Sequence, residues 1–298
     1  MSINFSRAFQ QGSRSYNAKV GEWWVRQSTN VSHQRAYKRI AAHIGETLGY
    51  HKMRAPHLLV DYACGNGEML KYLAREFSTA RIVALDGSKT MLRRALLNLQ
   101  RNGLEAELIG VPEAFRRPGP QVRIVESALP NFLLPLHSAD VVLFLFPNMN
   151  FSAAEKRYLE SHIHQHDGYL PSMARLLSVI GDDEEEKSRR AQTAIFKDLL
   201  CERALTENVH QLLKRRGVWF KVEYSNIPRQ ELSEVEQWRM LFAEAAWHPV
   251  LNNRRLEDRF EYLGSDYFRS QVILDVYEQT HDADDRTGGY FISAFRAL

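Results

Sequence analysis

Hydrophobic and polar positions alternate along this chain in blocks that predict strands and helices in turn from residue 57 onward. Short apolar runs, typical of buried parallel strands, lie near residues 57–62, 81–86, 121–126 and 139–146. Further strands are predicted near residues 217–224, 271–277 and 289–295. This alternation predicts an α/β fold, in which helices cover both faces of a mostly parallel sheet.

Two segments lie outside this alternation. Residues 1–50 carry aromatic side chains such as Trp23 and Trp24 interleaved with basic ones, as in an amphipathic helical lid. Residues 152–213 have helical periodicity and are far longer than a usual connection between strands, which predicts a helical cap. We therefore divide the chain into a lid (1–50), a core (51–151), a cap insertion (152–213) and the C-terminal part of the sheet (214–298).

A nucleoside-binding half-site is predicted where the first strand ends. The strand runs into Asp61, and Gly65 and Gly67 then allow a sharp turn and a close approach of the backbone to a ligand. The next helix is expected to begin at about Gly67, with Met69, Leu70, Leu73 and Phe77 on its buried face. Asp86 ends the second strand, where a carboxylate can accept hydrogen bonds from both hydroxyls of a ribose.

The residue at position 70 separates two classes of cofactor. A dinucleotide-binding turn has a third glycine there, which lets helix and strand pack closely around a diphosphate. This chain has Leu70 instead. A diphosphate is therefore disfavoured, whereas the ribose site is retained.

These residues resemble two motifs of the class I S-adenosylmethionine-dependent methyltransferases. The first motif, an acidic residue followed by three glycines at alternate positions, matches residues 61–67 except that Ala63 replaces the first glycine. The second, acidic residue, any, Ser, any, any, Met, matches from Asp86 through Ser88 to Met91. The resemblance implies a Rossmann-like, doubly wound, seven-stranded sheet with an antiparallel C-terminal hairpin formed by residues 271–277 and 289–295. It also implies S-adenosylmethionine as the cofactor.

The resemblance assigns roles to individual residues. Asp86 would hold the ribose, Met91 would cover the adenine, and Ser127 stands where relatives carry an acid that binds the adenine amino group. Tyr16 resembles a lid tyrosine that closes over the cofactor. Further cofactor contacts are expected from Asp61, Ala63, Cys64, Gly65, Gly67, Gly87, Ala128 and Phe146.

Asn148 follows the fourth strand and is the leading candidate for the catalytic site. Its amide would bind the amino-acid end of the cofactor or an acceptor. A turn in which Asn148 bonds its own backbone explains the residue equally well. Ser127 has a similar alternative, since a serine can simply cap the turn that follows its strand.

The amino-acid composition limits the classes of partner and ligand that the chain is expected to bind. The 298 residues include 39 basic and 36 acidic ones, a balance that does not favour a nucleic-acid surface. Cys64 and Cys201 are too few and too far apart for a disulfide framework, which fits a reducing cytoplasm. We expect no membrane span and no metal site, because a polar surface explains the His162, His164, His166 and Asp167 group better. The oligomeric state is left open.

Three functions are compatible with these patterns. The first is methyl transfer to a small molecule, such as a secondary metabolite. The second breaks another carbon–sulfur bond of the same cofactor, transferring its aminocarboxypropyl group or closing it to azetidine-2-carboxylate and releasing methylthioadenosine. The third, a nucleic-acid methyltransferase or a binding module, has the least support, because Phe146-Pro147-Asn148 lacks the Pro-Pro-aromatic pattern of amino-methylating relatives.

Overall fold

The computed structural model describes residues 3–109, 118–130, 134–145, 149–164, 185–225, 254–269 and 289–298. Three helices open the chain: α1 (Phe5–Ser15), α2 (Lys19–Ser28) and α3 (Val31–Tyr50). The later helices are α4 (Leu70–Glu76), α5 (Lys89–Arg101), α6 (Ala153–His164), α7 (Glu185–Leu212) and α8 (Arg254–Arg259). None of the helices in these ranges combines the length and apolar character needed to cross a bilayer.

A single sheet contains the eight strands of the described ranges. They are β1 (Leu58–Tyr62), β2 (Arg81–Asp86), β3 (Ala106–Ile109), β4 (Val122–Glu126), β5 (Ala139–Leu145), β6 (Leu213–Ser225), β7 (Phe260–Arg269) and β8 (Gly289–Ala297). Their order is β3-β4-β2-β1-β5-β6-β8-β7; β8 is antiparallel to β6 and to β7, and the other pairs of these strands are parallel. The predicted α/β class with a mostly parallel sheet is confirmed.

The strand order reverses direction at β1. From β1 the chain moves outward to β2 and to the edge strand β3, comes back to β4 between them, and then places β5 on the other side of β1. Ligands of open α/β sheets bind outside the carboxyl ends of the strands at such a point. The end of β1 is therefore where the topology places a site.

The sheet is buried on both faces, and the N-terminal helices reach both of them. Phe9 of α1 packs on one face with Val60 and Phe144, whereas Ile40 of α3 packs on the other with Leu59. Burying each such side chain contributes about 1.5–3 kcal/mol. Because α1 and α3 lie on opposite faces, α2 crosses the edge of the sheet between them.

Four details differ from the sequence-based expectation. The sheet has an eighth strand, because the short β3 extends the edge beyond β4. The strand on the outer side of β8 is β7, Phe260–Arg269, which was not predicted, and residues 271–277 lie outside the described ranges. Helix α4 begins at Leu70 rather than Gly67, since the turn occupies the residues up to Met69. Its last residue is Glu76, so Phe77 follows the helix.

Candidate functional site

The turn between β1 and α4 has an unusual backbone. Ala63, Gly65 and Gly67 all have positive φ angles, of 61°, 56° and 76°. The turn is tied to β2 because the Cys64 N–H donates to the Leu85 carbonyl over 3.0 Å, and it is closed by a bond from the Gly67 N–H to the Cys64 carbonyl. A non-glycine residue in the left-handed region costs about 1–2 kcal/mol, so Ala63 is strained.

The two glycines of this turn serve different purposes. A Cβ atom on Gly67 would lie 2.9 Å from the Cβ and 3.0 Å from the Cα of Ala95, so Gly67 allows the turn to pack against α5. A Cβ atom on Gly65 would meet nothing nearer than the Trp24 Nε1 atom of α2, at 3.5 Å. Gly65 therefore faces a space between the turn and the N-terminal helices.

Asp86 is held in place beside this turn. Its Oδ2 atom accepts a hydrogen bond from the Gly65 N–H over 2.9 Å, and its Oδ1 atom accepts one from the Ser88 N–H over 2.7 Å. Burial raises the pKa of Asp86, while hydrogen bonds from the backbone of Ser88, Gly65 and Gly87 oppose the rise. Each oxygen keeps a lone pair for a further donor. The carboxylate is thus oriented to receive two hydroxyl groups.

Asp61 differs from Asp86 in that no hydrogen bond from the described residues orients its carboxyl group. It is fully buried near the end of β1, and neither carboxyl oxygen has a hydrogen-bond partner in the described part of the chain. Burial raises its pKa well above the ordinary value, and the negative charge of Asp86 raises it further. The buried Glu202, by contrast, pairs with Lys221 over 3.1 Å. A buried charge without a partner is costly, which makes Asp61 a candidate for binding a ligand cation.

The N-terminal helices bond directly to both loops of this site. The Ser88 hydroxyl donates to Asn17 Oδ1, and the Asn66 amide donates to the Ser28 hydroxyl, both over 2.8 Å. Gln34 of α3 donates to Glu68 over 2.8 Å. The helices therefore close over the carboxyl edge.

An aromatic wall, formed by Trp24, His33, Tyr37 and Tyr290, lines the same region. The His33 ring centroid lies 5.8 Å from those of Trp24 and Tyr37 and 6.3 Å from that of Tyr290. The sequence analysis did not identify this wall as part of a site. Its members come from α2, α3 and β8 and share no motif, and the only signal was the aromatic content of the first 50 residues.

The remaining predicted residues fall into two groups. Tyr16 follows α1 directly and is half-buried, and Met91 is buried beneath α2, its Cε atom 3.0 Å from a Cβ built on Gly21. The Ser127 N–H donates to the Asp86 carbonyl over 2.9 Å, and Ala128 lies beside Gly87. Phe146 and Asn148 are outside the described residues.

No group of three or more potential metal ligands is found in the described ranges. His166 and Asp167 of the cluster considered above lie outside those ranges.

Residues 59–111 match the family model described as a methyltransferase domain. Over these residues the chain is similar to methyltransferase domains. At this level the predicted family and enzyme class are confirmed, together with S-adenosylmethionine as the cofactor. The matched residues include the glycine turn and Asp86, which is where the geometry places the site.

One curated relative is the ribosomal RNA small subunit methyltransferase C of Ectopseudomonas mendocina (strain ymp). It is 31% identical over 110 residues, which are 37% of this chain and 29% of that protein. The chain thus matches less than a third of the relative's length. The activity and substrate of the whole protein are for that reason treated as proposals.

Solved structures with a similar backbone arrangement include the [4+2]-cyclase SpnF, which has 14% identity and a TM-score of 0.49 over 99% of this chain and 98% of that one. The magnesium protoporphyrin IX methyltransferase of Synechocystis PCC 6803 has 12% identity and a TM-score of 0.47 over 96% and 97%. The N-methyltransferase NodS of Bradyrhizobium japonicum WM9 has 10% identity and a TM-score of 0.46 over 98% of each chain. Likeness at this level adds no argument about function.

The two glycines of the turn provide a first test. Both Gly65→Ala and Gly67→Ala place a Cβ atom at positive φ, which costs about 1–2 kcal/mol. Gly67→Ala also collides with the Ala95 backbone, so it should lower the thermal unfolding temperature more. Gly65→Ala should stay folded but weaken binding of S-adenosylhomocysteine about tenfold or more in calorimetry, because its methyl group occupies the open space. Unchanged affinity in Gly65→Ala would show that the cofactor does not approach this turn.

Asp61 provides a second test, through the stability of the ligand-free chain. Its raised pKa means that the folded chain holds this proton more tightly than the unfolded chain does. The stabilising effect of the protonated carboxyl is therefore lost as pH rises from about 4, the ordinary carboxyl pKa, through the folded value. Asp61→Asn should unfold at a higher temperature than the wild type at pH 8, and the difference should shrink toward pH 4.

The matched control for this measurement is Asp140→Asn. Asp140 accepts hydrogen bonds from the His57 and Leu58 N–H groups and from Lys214, so removal of its charge should not stabilise the chain. An Asp61→Asn variant less stable than wild type at pH 8 would contradict the assignment of an uncompensated charge.

Proposed function

We propose that this protein is an S-adenosylmethionine-dependent methyltransferase that acts on a small molecule. The observation that carries the proposal is the Asp86 carboxylate, oriented by the Gly65 and Ser88 N–H groups beside the open glycine turn. Asp86 would bind the ribose hydroxyls, and the turn would approach the rest of the nucleoside. Asp61, buried beneath the same turn, would repel a diphosphate and favour a cationic group.

Methyl transfer from a sulfonium depends more on the positioning of the reactants than on acid or base catalysis. The cofactor supplies an activated methyl group on a sulfonium, which leaves without protonation. The task of the chain is then to hold the acceptor in line and to exclude water. The hydrogen bonds of Asn17 and Ser28 to the two loops hold the N-terminal helices over the site and so help to exclude water. The Nε1 edge of Trp24 lies next to Gly65 and forms one wall of the space above the turn.

Several residue roles belong to this proposal. Met91 would cover the adenine, with Ser127 and Ala128 beside it and Cys64 lining the turn. Tyr16 would close over the cofactor from the end of α1. Asn148 would orient the amino-acid end of the cofactor or the acceptor, with Phe146 nearby.

A small acceptor fits the closed N-terminal helices better than a nucleic acid does. Ser28 at the end of α2 and Asn17 just before this helix bond to the two loops of the site, so α2 lies across the carboxyl edge. The net charge of +3 is also modest for a nucleic-acid enzyme. The name of the curated relative suggests an RNA acceptor. RNA binding that weakens steeply with salt would favour that acceptor over a small molecule.

A second candidate reaction is favoured by Asp61. A buried carboxylate with a raised pKa is a proton acceptor suited to an ammonium group. Once Asp61 takes that proton, the free amine can attack the γ-carbon of its own chain. The carbon–sulfur bond breaks, the sulfur keeps the electron pair in methylthioadenosine, and an azetidine ring remains. This reaction needs no second substrate.

Cofactor binding is the direct test of the proposal. Asp86→Ala should weaken binding of S-adenosylhomocysteine about tenfold or more in calorimetry, since each hydrogen bond to a charged group contributes about 1.5–3 kcal/mol. Glu126→Ala is the matched control, because Glu126 is the register partner of Asp86 on β4 and its side chain is half exposed. It should leave the affinity unchanged. Equal affinities in Asp86→Ala and wild type would refute the site.

Product analysis separates the two reactions. Purified full-length protein is incubated with S-adenosylmethionine alone and with pools of small amines, hydroxyl compounds and carboxylic acids, and the products are resolved by mass spectrometry. Methyl transfer yields S-adenosylhomocysteine and depends on the acceptor. Methylthioadenosine formed from the cofactor alone, and absent with Asp86→Ala, would instead support the second reaction and refute methyl transfer as the main activity.

A further inference from the structure

A buried glutamate in the first turn of α6 bonds to the residue that precedes this helix. Glu155 is 3% exposed, and its Oε2 atom accepts hydrogen bonds from the Ser152 N–H over 2.9 Å and from the Ser152 hydroxyl over 2.8 Å. The Ser152 hydroxyl in turn accepts a bond from the Glu155 N–H. This reciprocal pair is a capping box, which stabilises the start of a helix. Capping of α6 uses only the Oε2 atom, so Oε1 is left for a partner from another element.

That partner is the amino end of α1. The Oε1 atom of Glu155 accepts a hydrogen bond from the Asn4 N–H over 3.0 Å, and the Arg7 guanidinium forms an ion pair with the same carboxylate. The first turn of α1 contains no acidic residue of its own. Because a negative charge near the first N–H groups of a helix is favourable, Glu155 supplies from α6 the charge that α1 lacks.

The chain between β5 and α6 also lies along α1. The Asn150 N–H donates to the Ala8 carbonyl over 2.9 Å, and Met149 is buried in the same core cluster as Ala8. We call residues 149–155 the β5 segment. It follows directly after Asn148, the residue proposed above to orient the acceptor or the amino-acid end of the cofactor.

The other end of α1 lies against residues 86–88, which we call the ribose loop. A Cβ atom on Gly87 would lie 2.6 Å from the Ser13 Oγ atom, and the Ser88 hydroxyl donates to Asn17, just beyond the helix. The strands that end at the ribose loop and at the β5 segment flank β1, so they lie about 10 Å apart. The 11 residues of α1 make a helix about 16 Å long. Helix α1 is therefore long enough to join the two across the end of β1.

We propose that Glu155 is a positioning residue, which makes α1 a spacer that couples the ribose loop to the β5 segment. This role rests on the function proposed above and adds to it a link between its two sides. A nucleoside held by Asp86 limits the motion of the ribose loop and, with it, of the carboxyl end of α1. Because Glu155 holds the amino end of α1 to the β5 segment, the same event orders the chain next to Asn148.

The test is hydrogen–deuterium exchange by mass spectrometry on the full-length protein, with and without S-adenosylhomocysteine. In the wild type the nucleoside should slow exchange in both the ribose loop and the β5 segment by about tenfold, the effect of one hydrogen bond to a charged group on local opening. In Glu155→Gln the slowing should persist in the ribose loop and be largely lost in the β5 segment. Glutamine keeps one acceptor oxygen, but its NH₂ group can neither accept from Ser152 nor pair with Arg7.

The matched control is Glu207→Gln. Glu207 also joins two helices through an ion pair, from α7 to Arg259 of α8 over 2.9 Å. It lies toward the opposite end of the sheet, because the last turn of α7 bonds to His137, just before β5 begins. The nucleoside should slow exchange in both segments of this variant as it does in the wild type.

A second variant approaches the same contact from α1. Arg7→Met removes the ion pair but leaves the capping of α6 by Ser152 and Glu155 in place. It should also keep the slowing in the ribose loop and lose most of it in the β5 segment. A folding defect in Glu155→Gln thus leaves the proposal testable through Arg7→Met.

The remaining outcomes contradict the proposal in distinguishable ways. Slowing of both segments in Glu155→Gln and Arg7→Met, as in the wild type, would show that α1 does not act through this carboxylate. Loss of the slowing in both segments would indicate general structural damage and would also overturn the coupling. Slowing of the ribose loop alone in the wild type would overturn the coupling while leaving the cofactor site intact. If S-adenosylhomocysteine slows neither segment of the wild type, the ribose site is refuted and the proposed function fails with it.

Discussion

The position of two carboxylates, Asp61 buried and Asp86 partly buried, beside one backbone turn is the constraint on which this structure depends. Asp86 is compensated by the N–H groups of Gly65 and Ser88, and those bonds require the backbone to pass close to its oxygens. The positive φ angles at residues 63, 65 and 67 allow that course. Asp61 lies under the same turn without such bonds. The turn is thus shaped around one charge and leaves the other available.

The strand order explains why the two carboxylates lie at the carboxyl ends of central strands and why the N-terminal helices cover them. Reversal of the order at β1 opens a crevice between β1 and β5. The hydrophobic faces of the sheet then anchor α1 on one side, through Phe9, and α3 on the other, through Ile40. Helix α2 must cross the crevice. The same burial that stabilises the fold therefore closes the site.

The central strands could be predicted from the sequence because their signal is local. Strands buried on both faces read as continuous apolar runs, and β1, β2, β4 and β5 were found in this way. Strand β3 has four residues and an exposed Leu108, and β7 contains Gly264, so neither shows a clear run. The late start of α4 follows from the length of the turn, which a pattern of apolar positions does not reveal.

The site was predictable only as far as its residues share a motif. The glycine turn, Asp86, Ser88 and Met91 are close in sequence, and their spacing identified them. Tyr37 and Tyr290 are more than 250 residues apart, and both contact His33 only because α3 and β8 belong to the same side of the core. The spacing of residues along the sequence does not predict contacts of this kind. The unsatisfied state of Asp61 is likewise a property of its neighbours and not of its own position in the motif.

Under the proposed function, charge and not the shape of the turn selects the class of ligand. A bare glycine turn next to a ribose-binding carboxylate admits any nucleoside, and related folds use it for diphosphates as well as for sulfonium compounds. In a closed interior of low effective dielectric, an unpaired carboxylate acts strongly on whatever enters. A diphosphate would add negative charge beside Asp61, whereas a ligand bearing an ammonium and a sulfonium removes the cost of its burial. On this proposal, the buried carboxyl that we expect to destabilise the ligand-free protein is also the group that gives the site its specificity.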